Sequence, residues 1–193
     1  MRDLGIKHLV TFYGATLAVA MAFLIARGHL ETLIPEPRFM SWFGSIAGGL
    51  AVGGVMVVLS RLSTAKFAWA ANLADEFRSV LAGVERRGVL PVALFSALAE
   101  EALFRGLLQP SLGLWLTAAI FGVLHIGPTP RFAPWTVMAF GAGLLFGGLF
   151  AWSGNIVAPF LAHFFVNYLN LRYLVPHTRR ALQMAQLRGF AGL

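Results

Sequence analysis

Six side chains set in otherwise apolar stretches carry the chemistry of this chain: Glu100, Glu101 and Arg105, then His125, then His163 and Asn167. A carboxylate deep in hydrocarbon costs on the order of 3 kcal/mol or more unless it is paired or neutralised. Two in succession therefore imply a task. Neighbours on a helix point about 100° apart, whereas residues four apart share a face. Glu101 and Arg105 accordingly stack as an internal ion pair in the favourable Glu-before-Arg order, and Glu100 is left to face elsewhere. His163 and Asn167 share one face of their own helix. A glutamate and a histidine can together deprotonate a water, and a second histidine with an asparagine amide can donate to a developing oxyanion. That set suffices for peptide hydrolysis without a covalent intermediate and needs no cofactor. Alternatively, His125, His163 and a carboxylate are three ligands for a catalytic zinc. The residues themselves leave both chemistries open.

Each group also has a plainer use. A lone intramembrane histidine is more often a hydrogen-bond partner between helices, and a Glu–Arg pair is more often architectural. What argues for a joint site is concentration, because the spans hold just these acids and, apart from His8 at the start of the first span, two of the five histidines. Other hydrolytic machinery is missing. The aspartates, Asp3 and Asp75, lie outside the apolar stretches, which excludes an aspartyl dyad. There is no His-Glu-x-x-His zinc helix and no Gly-x-Ser-x-Gly elbow. The His163–Asn167 pair resembles one element of rhomboid proteases, but the matching serine motif is absent. With no cysteine, disulfides, thiolate metal sites and cysteine nucleophiles are excluded.

The elements that must position these groups are membrane helices. Of 193 residues, 58% are hydrophobic and 12% charged, with a mean hydropathy of +0.74. A soluble domain is nearer 45–50% apolar and about 25% charged. About 20 apolar residues span a bilayer, which predicts six spans at 6–26, 41–60, 89–109, 112–125, 134–152 and 155–173, the fourth being short. Residues 61–87 differ: charges alternate with Phe67, Ala70, Leu73, Phe77, Val80, Leu81 and Val84 at spacings near three and four. That pattern predicts an amphipathic helix at the membrane surface. The expected architecture is an all-α polytopic membrane bundle of about six transmembrane helices plus one interfacial helix. It forms a single membrane domain over 1–193: two N-terminal spans (1–60), a cytoplasmic amphipathic segment (61–88), a catalytic core (89–173) and a basic tail (174–193).

Charge gives orientation. With the N-terminus inside, all but three of the 15 basic residues fall in inner segments, the exceptions being Arg27, Arg38 and Arg105. This bias predicts both termini on the cytoplasmic side. The net charge of +7 is thereby explained by topology and lipid headgroups rather than nucleic acid. Counted at 1.5 Å per residue, Glu100 lies about 16 Å from the inner end of its span. His163 is at a similar depth, and His125 closes the inner end of the fourth span.

The three motifs Glu-Glu-x-x-x-Arg (Glu100, Glu101, Arg105), Phe-x-x-x-His (Phe121, His125) and His-x-x-x-Asn (His163, Asn167) resemble the CPBP family. Its members include type II CAAX prenyl endopeptidases and bacterial Abi-type intramembrane proteases. The resemblance covers residues 89–173. It implies an all-helical membrane endopeptidase in which Glu100 and His125 activate water, His163 and Asn167 stabilise the oxyanion, and Glu101 and Arg105 support the site. The family carries both glutamic and metalloprotease labels, so zinc on His125 and His163 stays open. The implied partners are the lipid bilayer and a membrane-anchored protein or peptide substrate. The implied location is a bacterial cytoplasmic membrane. Two other functions compete: a non-enzymatic immunity or scaffold protein on the same bundle, and a proton-coupled transporter, which the lack of an internal repeat disfavours.

Overall fold

The computed structural model describes residues 6–33 and 39–175. Most of the expected basic tail, with Arg179, Arg180 and Arg188, lies outside them, as do Arg2 and Arg38. Among the described residues the protein is all-α: α1 (Ile6–Arg27), α2 (Phe39–Lys66), α3 (Ala68–Val80), α4 (Val89–Glu101), a π-helical segment (Ala102–Leu108), α5 (Gln109–Leu124), α6 (Ala133–Ser153) and α7 (Val157–Leu174). Four helical stretches are long and apolar enough to cross a membrane: Ile6–Arg27, Ser41–Lys66, Arg86–Leu124 and Pro130–Ser153. The protein is a multi-pass membrane helix bundle.

The third stretch contains a reversal. Gly113 has φ 76° and ψ 171°, a conformation that favours glycine because a Cβ would clash with the backbone. Before it, Arg105 and Gln109 donate to the Gly143 and Gly147 carbonyls of α6, so α4 and the π segment run parallel to α6. Beyond it, Leu114, Ala118 and the backbone at Gly122 meet Gly147, Gly143 and Phe140 in the opposite sense. The third and fourth predicted spans are thus joined without a loop, and the chain turns on one glycine.

Small residues bring the other helices together. Cβ atoms built at Gly49 and Gly53 would lie 2.5 and 3.0 Å from the Ala158 and Ala162 carbonyl oxygens. These close approaches of α2 to α7 are the kind that substitute for hydrophobic driving force in lipid. Ser45 pairs with Asn155 and Ser60 with Asn170 in the same register, so α2 and α7 run parallel. On the other side Gly88 packs under Ile6 and Gly106 under Leu24, making α1 parallel to α4. Helices α1, α4 and α6 thus point one way and α2, α5 and α7 the other.

The amphipathic helix forms as α3, with Ala70, Leu73 and Ala74 buried. Phe77 stands edge-on to Phe132 and Trp135, so the middle of its apolar face packs on protein. Phe67 and Val80, expected on that face, are about half exposed.

Candidate active site

α4 and α7 cross antiparallel and bring their polar residues to one level. Glu101 is fully buried, as is Arg105, whose Nη1 donates to Glu101 Oε1 at 3.0 Å. The π segment begins at the next residue; its wider i→i+5 turn is uncommon and recurs at functional sites. Arg105 Nη2 donates to the Gly143 carbonyl at 3.1 Å. The guanidinium carbon lies 4.9 Å from the Phe121 ring centroid and 5.5 Å from that of Phe146, within the range where a desolvated cation is attracted to a ring face.

Glu101 also holds a residue from another helix. His163 Nδ1 donates to the same Oε1 at 2.7 Å, and the His163 ring stacks on Phe146 with centroids 4.9 Å apart. Charge-assisted bonds of this length are the strong ones. They turn Nε2 of His163 toward Glu100. His125 caps the end of α5. Its Nδ1 lies 2.6 Å from the Phe121 carbonyl, an acceptor only, which assigns the proton to Nδ1 and leaves a lone pair on Nε2. The Phe121 ring stacks on the imidazole at 4.3 Å, explaining why the phenylalanine sits four residues before this histidine.

Glu100 stands between the two imidazoles. Its Oε2 is 3.7 Å from His125 Nε2 and 3.9 Å from His163 Nε2. It is buried without a hydrogen-bond partner. Both gaps exceed a direct hydrogen bond, but a water about 2.8 Å from each of two such atoms fits between them. Asn167 lies one turn beyond His163, and its Nδ2 donates to the Ser96 hydroxyl at 3.1 Å.

Every sequence-predicted site residue therefore falls in one region. Glu100, His125 and His163 converge, Glu101 and Arg105 form the expected pair, and Asn167 reaches the neighbouring helix. The sequence reading missed Ser96 and the bond from His163 to Glu101. Among the described residues, no group of three His, Cys, Asp or Glu side chains is disposed to hold a metal ion.

A family model described as "Type II CAAX prenyl endopeptidase Rce1-like" matches residues 86–169, the stretch holding all three motifs. The protein YpbD of Bacillus subtilis (strain 168), described as uncharacterized, is 30% identical over 164 residues, covering 83% of this chain and 82% of that protein. No solved structure matches the chain significantly.

Proposed function

The chain belongs to the Rce1-like family of type II CAAX prenyl endopeptidases, a protease family, and from that premise we propose that it hydrolyses a peptide bond in a membrane-anchored protein or peptide. The observation that carries this reading is the unpartnered, buried Oε2 of Glu100 opposite the Nε2 atoms of His125 and His163. A water held by Glu100 and His125 loses a proton to them as its oxygen attacks the scissile carbonyl. The carbonyl oxygen becomes an oxyanion beside His163 and Asn167. With both ring nitrogens protonated, His163 donates from Nε2 while Glu101 remains its counter-charge, and the Asn167 amide donates alongside. The proton taken from water then passes to the leaving nitrogen, the C–N bond breaks, and no acyl-enzyme forms. No step runs through a metal.

The matched family is described as a type II CAAX prenyl endopeptidase. The site asks for less: a chain whose scissile bond is held at membrane depth by an anchor. The Bacillus subtilis relative supports a bacterial membrane, the crowding of basic residues in the inner segments supports both termini on its cytoplasmic side, and the exposed Phe67, Trp69 and Val80 at α3 support contact with the headgroup region.

The test uses protein reconstituted in liposomes and a randomised pool of internally quenched peptides, each S-farnesylated or N-palmitoylated. The expected result is cleavage of a subset at internal bonds, with loss of cleavage when the lipid is omitted. No fragment from any member would remove the hydrolase reading.

A further inference from the structure

The apolar run of α2 ends at Ser60. At about 1.5 Å per residue, residues 41–60 span about 30 Å, the thickness of the hydrocarbon. Arg61 is therefore the first residue at the depth of the lipid phosphates. Its guanidinium is fixed in place. Nη1 donates to the Asn170 side-chain oxygen at 2.7 Å and Nη2 to the Leu169 carbonyl at 2.8 Å, and the central carbon lies 4.1 Å from the Tyr173 ring centroid. Both acceptors are neutral. Arg78, 5.4 Å from the same ring, has Asp75 at 2.6 Å, and Arg131 has Glu76 at 2.7 Å. Among the described residues no carboxylate pairs with Arg61. A half-buried charge calls for a counter-charge, and a guanidinium has five N–H donors, of which these bonds use two.

Arg61 also lines a cavity of about 80 Å³ between α2, α3, α6 and α7, room for several waters or for one tetrahedral anion. Ser63, Thr64 and Asn170 give it polar walls. Trp69, Met138 and Tyr173 line it too, yet are 46%, 41% and 46% exposed, so its mouth is apolar and opens to the surroundings of the bundle. A free anion gains nothing from such a mouth. A ligand with an anionic head and apolar tails does, and Trp and Tyr are the residues that gather at this level of a membrane.

We propose that this cavity binds the headgroup of an anionic phospholipid, with its phosphate on Arg61 and its acyl chains leaving past Trp69 and Met138. Guanidinium and phosphate meet through paired N–H···O bonds. A zwitterionic headgroup brings its own cation and leaves Arg61 without a net counter-charge, so charge sets the preference. Because the walls come from α2, α3, α6 and α7, a bound lipid ties the amphipathic helix to the bundle. The site does not depend on the hydrolase reading.

The test titrates the detergent-solubilised full chain with phosphatidylglycerol, with phosphatidylcholine of the same acyl chains, and with inorganic phosphate, and follows bound molecules by native mass spectrometry. Phosphatidylglycerol is expected to bind at least about fivefold more tightly than phosphatidylcholine, and millimolar phosphate should not displace it. Arg61→Met should weaken it about tenfold, the range for one charged hydrogen-bonding group. Ser63→Leu fills the cavity while leaving the bonds of Arg61 in place. It should weaken the lipid comparably at an unchanged melting temperature, which decides the matter if Arg61→Met unfolds. Lys66→Met removes an exposed cation from the same end of α2 and should change the affinity by less than about twofold, because solvent screens it. Equal affinity for the two lipids, or wild-type affinity in Ser63→Leu, would overturn the proposal. So would an equal loss in Lys66→Met, which would point to surface charge at large, or displacement by phosphate, which would assign the cavity to a free anion.

Discussion

Glu100→Gln should leave a folded protein that no longer cleaves. The amide has the size and shape of the carboxylate, and the lost oxygen is one that makes no hydrogen bond, since Oε2 has no partner. Folding therefore loses little, and the melting temperature in detergent should stay close to that of the wild type. The reaction loses the group that takes a proton from water. Positioned acid–base groups are worth about 10²–10⁴-fold, so initial rates on lipid-anchored peptides should drop by about a thousandfold. The neighbouring carboxylate already serves as counter-charge, because both Arg105 and His163 bind its Oε1. A rate within a few-fold of the wild type would mean that Glu100 is not the base.

Arg105→Leu should produce the largest loss of stability. Arg105 and Glu101 are both at 0% exposure, and removing one partner of a buried pair strands the other as an uncompensated charge. Such substitutions cost about 3–5 kcal/mol, and here the loss also includes the bond to the Gly143 carbonyl. Reversible unfolding in mixed micelles should register it. Glu101→Gln combined with Arg105→Leu should recover part of the loss, because the stranded charge is then gone. Cleavage should stay low in the double variant, since His163 has there lost the ionised acceptor that orients it. If the single and double variants were equally stable, the pair would contribute nothing as a pair.

The helices were largely legible because apolar run length is what a bilayer reads. The predicted span at residues 6–26 matches α1, and that at 134–152 lies within one residue of α6 at each end. α2 runs past the predicted residue 60 to Lys66, because Arg61 is not at a solvated end. It donates to the Asn170 side chain and the Leu169 carbonyl of α7, which lets the helix continue beyond its apolar run. The π segment and the reversal at Gly113 were not legible. Hydropathy contains no information on whether a backbone amide bonds four or five residues back, and one glycine among apolar residues resembles any other.

For the site, residue type and spacing were enough to gather Glu100, His125, His163 and Asn167, because ionisable groups are scarce in a membrane span and have few places to go. The division of labour between the glutamates was legible only in part. The i,i+4 spacing predicts that Glu101 meets Arg105. That the same oxygen also holds His163 depends on how α4 crosses α7, which no local pattern encodes. Ser96 was invisible for the same reason, because its partner Asn167 lies on another helix.

The most direct test of water activation by Glu100 is a single turnover in ¹⁸O-labelled water, with reconstituted enzyme in excess over a cleavable lipid-anchored peptide. The account predicts one ¹⁸O in the newly formed carboxyl group of the product and none in the protein. Label appearing in the Glu100 side chain, or a first product lacking ¹⁸O, would contradict it.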